Sequence, residues 1–89
     1  MKERFDALGP PERQLVLDFV EHFRPPGSPL SVEDYAILSL GAGFKTSFFI
    51  RTYHAAVAAV ANARRIPVEQ LSVTLARALN KVNPHAQSD

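Results

Sequence analysis

The sequence predicts an all-α fold, a compact bundle of four helices with a short N-terminal turn. Three observations lead there. Apolar residues recur at three- and four-residue intervals, no strand-like alternation of useful length occurs, and proline and glycine divide the chain into helix-length pieces. Repeats and low-complexity runs are absent, so the chain reads as a single domain over residues 1–83 with a flexible tail, "NPHAQSD", whose polar part spans 84–89.

The first helix is expected over about 11–24. "GPP" at 9–11 precedes it, and proline suits a first helical position because its missing amide would be unpaired there anyway. Leu15, Phe19 and Phe23, supported by Val16 and Val20, form one face, with Gln14, Asp18, Glu21 and His22 opposite. "RPPGSP" at 24–29 ends it, since no helix continues through that many prolines.

The second helix, about 32–40, has the clearest start. Ser31 can cap the free amides, Asp34 completes a capping-box pattern, and Leu30 and Tyr35 stand at hydrophobic-staple positions. Val32, Tyr35, Ile37, Leu38 and Leu40 supply its apolar side, and Gly41 is placed as a C-terminal cap.

A corner, "GAGFK", leads to the longest helix, about 46–65, which Thr46 or Ser47 can cap. Most of its positions are apolar, so it is expected to be central and packed on several sides. Pro67 biases Ile66 away from helical geometry, and a last helix follows over about 67–82. Val68, Leu71, Leu75, Ala78, Leu79 and Val82 make its buried stripe.

Composition bounds what the domain does. The 46% hydrophobic share is that of a folded chain. Without cysteine, neither a disulfide framework nor a thiolate metal site is available, and a chain of 89 residues must find extra stability in packing or in self-association. No signal peptide is visible, since no apolar stretch follows the basic start "MKERFDALGPPER", and no membrane span, since the most apolar window is short and broken by Arg51 and His54. The expectation is a soluble, cytoplasmic protein.

Charge is uneven. Residues 1–34 carry seven acids and four bases, whereas residues 35–89 carry six bases and two acids. The second half is mildly basic, but the isoelectric point of 8.2 is below the range usual for dedicated nucleic-acid modules, about 9 and above.

On a helical wheel at about 100° per residue, Ser47, Arg51, His54, Ala58, Asn62 and Arg65 share a sector of roughly 80°. Arg51, His54, Asn62 and Arg65, with Arg64 adjacent, form a basic stripe that could meet carboxylates or phosphates, or face only solvent. Arg64 and Arg65 also suit the negative end of the helix dipole. Phe44, in the corner, is the aromatic expected to remain exposed and to mark an interface.

The pair of helices around "GAGFK" raises the question of a helix-turn-helix. A base-reading helix needs polar or basic side chains on its first turns, and this one begins Ser47-Phe48-Phe49-Ile50, which belongs in a core.

No catalytic, metal or cofactor site is expected. Asp18 and His22 stand at i and i+4, but no second pair completes a metal site, and a solvated face explains them. Serine and histidine show no nucleophile-base spacing, and "GAG" lacks the lysine and preceding strand of a phosphate loop. The function expected is therefore a non-enzymatic protein-protein interaction module: an adaptor, inhibitor or assembly subunit whose partner is another protein or a second copy. A DNA-binding regulator of helix-turn-helix type, using helices 32–40 and 46–65, is the alternative. Neither a membrane nor a small-molecule substrate is implied.

Overall fold

The structure, a computed structural model, describes residues 2–42 and 47–82, with side chains given for 2–39 and 52–82. The described residues form five helices and no strand: α1 (Lys2–Asp6), α2 (Pro10–Glu21), α3 (Val32–Ala42), α4 (Ser47–Arg64) and α5 (Val68–Val82). The expected N-terminal turn is α1, a single short helix.

Gly9, extended at φ −61° and ψ 153°, delivers the chain into α2, whose first two residues are prolines. Glu12 in the first turn favours the positive end of the helix. α2 ends at Glu21, three residues earlier than the periodicity suggests. Its last amides tighten into three-residue turns, His22 N–H to the Phe19 carbonyl and Phe23 N–H to the Val20 carbonyl. Pro25, Pro26, Gly27 and Ser28 then make a β-turn. The Ser28 amide donates to the Pro25 carbonyl at 3.2 Å, and Gly27 takes φ 77°, which a type II turn requires at its third position. Arg24 folds over this turn, donating from Nε to the Leu30 carbonyl at 2.9 Å and from Nη2 to the Ser28 carbonyl at 3.4 Å.

Ser31 caps α3 as expected, its Oγ accepting the Asp34 amide at 3.1 Å. At the staple positions, Leu30 is 36% exposed while Tyr35 packs against the core. Polar bonds also fix the entry, with the Leu30 amide donating to Ser28 Oγ and its carbonyl held by Arg24. Gly41 does not stop α3, which continues helically to Ala42. The α3–α4 corner, including Phe44 and Thr46, lies outside the described residues, as do Met1 and 83–89.

α4 ends in a Schellman motif. The Ile66 amide donates to the Ala61 carbonyl at 3.1 Å and the Arg65 amide to the Asn62 carbonyl at 3.2 Å, with Arg65 itself at φ 58°. Ile66 then packs against the core, and Pro67 opens the way into α5.

One core joins the elements. Phe5 and Leu8 enter it from the N-terminal arm, Leu15, Val16, Phe19 and Val20 from α2, Ala56, Val57, Val60 and Ala61 from α4, and Leu71, Leu75, Ala78, Leu79 and Val82 from α5. α2 packs on α3, α4 and α5, α4 packs on α2 and α5, and α1 rests on α5. The Phe19 ring meets Phe23 and Tyr53 edge-on at 4.9 and 5.1 Å, a favoured aromatic arrangement.

Three expectations of burial change. In the described part of α4 a single stripe is buried, and Ala55, Ala58, Ala59 and Ala63 are exposed, because alanine is small enough to face water at little cost. Val68 is 46% exposed, since it stands at the start of α5, beyond its neighbours. In α3, Ala36 and Ser39 are buried while Leu38 is 64% exposed, so the larger residues do not mark the inner face.

Candidate interaction surface

The basic stripe divides once placed on the structure. His54, Asn62 and Arg65 are exposed on α4 and at its end. Side-chain contacts of Arg51, like the whole of Phe44, lie outside the described residues, as do the side chains of Phe48, Phe49 and Ile50. Arg64 does not join the stripe. It turns towards α2, donating from Nη2 to Asp18 Oδ2 at 2.6 Å. Arg64 is the last residue of α4, whereas Arg65 stands beyond it at φ 58°, off the helical wheel.

Asp18 is held from two sides, because Gln14 Nε2 also donates to its Oδ1 at 2.8 Å. Partial burial alone would push the Asp18 carboxyl up. The hydrogen bonds from Arg64 and Gln14, with the charges of Arg64 and His22 nearby, outweigh that and hold it below the ordinary carboxylate value. Asp18 therefore serves a charge contact with α4. Among the described residues, no group of three or more His, Asp or Glu gathers as a metal site.

Beside this ion pair, Asp18, Glu21, His22, Val60, Ala63 and Arg64 line a groove of about 270 Å³ between α2 and α4. Its floor is apolar and its rim charged. His54 packs its ring edge-on to Tyr53 at 5.9 Å and remains exposed. Tyr53 is half-buried, and burial pushes its hydroxyl above the usual range.

Three further cations are paired. Lys81 Nζ reaches both Glu12 carboxylate oxygens at 2.9 and 3.0 Å, and Arg24 Nη1 lies 3.6 Å from Glu21. Arg13 joins three helices. Its Nη2 is 3.2 Å from Glu33 on α3 and 3.8 Å from Asp6 on α1, and its guanidinium lies 5.4 Å from the centre of the Phe5 ring. Arg65 has no salt partner among the described residues.

The feature that sequence reading missed is Leu38. Counted by sequence only among the apolar residues of α3, it is the most exposed large apolar residue among those described. The available signal was that α3 is apolar on nearly every side after its first turn, "YAILSLGA", leaving no polar face to turn outwards. Among the described residues, no helix is long and apolar enough to cross a membrane. Compared with protein-family models, curated proteins and solved structures, the chain matches none.

Proposed function

We propose that the chain is a non-enzymatic helical interaction module, acting as an adaptor, inhibitor or assembly subunit and able to pair with another protein or with itself. The observation that carries this reading is the outward side of α3, where Leu38 is 64% exposed. A bundle this small gains stability from each apolar side chain it covers, and a leucine turned outwards on a helix that is apolar on nearly every side suits a contact face. Exposed Leu30 precedes the same helix.

The alternative, DNA binding through α3 and α4, has less behind it. In a helix-turn-helix the two helices pack on each other and the second presents polar side chains. Here Arg64, one of the bases near the end of α4, is engaged by Asp18, and the basic character of the second half is only mild.

The test is affinity capture from the source cell with wild-type protein and a Leu38→Asp variant, identifying by mass spectrometry what each retains. A partner kept by the wild type and lost from the variant supports the reading. Identical retention by both, together with duplex-DNA binding that weakens steeply with salt, overturns it in favour of the DNA reading.

A further inference from the structure

The outward side of α3 has a polarity along its length. Leu38 projects at its middle, and Asp34, exposed and without a salt partner among the described residues, stands one turn earlier. Glu33 beside it is held by Arg13. The face is an apolar knob with a negative charge at its N-terminal end.

The exposed side of α4 has the opposite character. Ala55, Ala58, Ala59 and Asn62 are all exposed and stand at i, i+3, i+4 and i+7. Those are the four corners of a hole that receives one side chain from a facing helix, and three of them are alanine. α4 contains no acidic residue, and exposed Arg65 follows at its C-terminal end.

We propose that these two faces meet between two copies of this chain. α3 of one copy lies antiparallel on α4 of the other, Leu38 seats among Ala55, Ala58, Ala59 and Asn62, and Asp34 pairs with Arg65 of the second copy. The spacings agree. Four residues separate Asp34 from Leu38, about 6 Å along a helix, and between six and seven separate the middle of the hole from Arg65, about 10 Å, a difference that a long arginine side chain spans. The antiparallel arrangement also sets the positive end of α3 beside the negative end of α4. Charge complementarity favours a second copy, because Asp34 on the one face and Arg65 at the end of the other are opposite charges that each lack a salt partner among the described residues. Reciprocal use of both faces closes a two-fold dimer.

This inference rests on the interaction-module reading and names the partner of its α3 face. Sedimentation of the wild-type protein across a wide dilution series at low salt tests it. The expected mass is that of a dimer, falling to monomer on dilution. Leu38→Asp and Ala58→Glu, both at exposed helical positions and checked for unchanged helicity by circular dichroism, each weaken association by about tenfold or more. Asp34→Arg and Arg65→Asp each weaken it alone, and mixing these two variants restores it. A wild type that stays monomeric throughout overturns the proposal. So does a dimer indifferent to Leu38→Asp, or a mixture of the charge variants no better than either alone. The capture experiment is scored separately, so a different partner lost with Leu38→Asp leaves the interaction-module reading standing when this proposal fails.

Discussion

Arg64 and Asp18, 46 residues apart in sequence, close the outer edge of the α2–α4 contact with Nη2 and Oδ2 separated by 2.6 Å. Both side chains are more than a third exposed, so solvent screens the attraction, and the pair is worth no more than about 0.5–1 kcal/mol. Its pH dependence has a definite sign. The native carboxyl ionises more readily than the unfolded one, so the contribution is complete above the ordinary Asp value and disappears as pH falls through the lowered native value. Urea unfolding of wild type and Asp18→Asn is expected to differ at neutral pH and to converge in strong acid. Added salt should shrink the neutral-pH difference.

Arg65 occupies a left-handed position that glycine fills without steric cost. Arg65→Gly is expected to stabilise the monomer by about 0.5–1 kcal/mol, the relief at the Cβ outweighing the extra freedom that glycine gives the unfolded chain. Arg65→Ala keeps the Cβ and should bring no such gain. Thermal melts of the three proteins decide the matter.

Gly27 shows the reverse case. A Cβ there would meet nothing within 4 Å, yet φ is 77°, so Gly27→Ala is strained by backbone geometry alone. The expected loss is about 1 kcal/mol in chemical denaturation, with no change in the core.

Leu38 and Leu75 are the same residue in opposite settings, 64% and 0% exposed. Leu75→Ala should cost about 2–5 kcal/mol through lost burial and the cavity left behind. Leu38→Ala should stay within about 0.5 kcal/mol of wild type when measured on the monomer at high dilution. If Leu38→Ala proved as costly as Leu75→Ala, α3 would have to present a different side to α2.

The arrangement of helices was legible because periodicity, proline positions and the Ser31 cap all spoke for the same boundaries. The stripes of α2 and α5 were legible for the same reason, each having a polar side for contrast. α3 was not, because orientation is inferred from contrast between faces and "YAILSLGA" offers none. The outer side of α4 was misleading in another way. Alanine counts as apolar in a sequence, yet its methyl group is nearly indifferent to burial, so it predicts helix without predicting which way the helix faces. Nor could any periodicity have paired Arg64 with Asp18 on another helix.

The β-turn at Pro25–Ser28 narrows how this molecule can be recognised. Pro26-Gly27-Ser28-Pro29 has the spacing of proline-rich ligands, which dock as extended left-handed threads with their backbone carbonyls open to the receptor. Here the reversal at Gly27 bends the thread back on itself, and Arg24 occupies the carbonyls of Ser28 and Leu30. A receptor for such motifs would first have to open this turn and displace Arg24, a conformational cost that a free proline-rich thread does not carry.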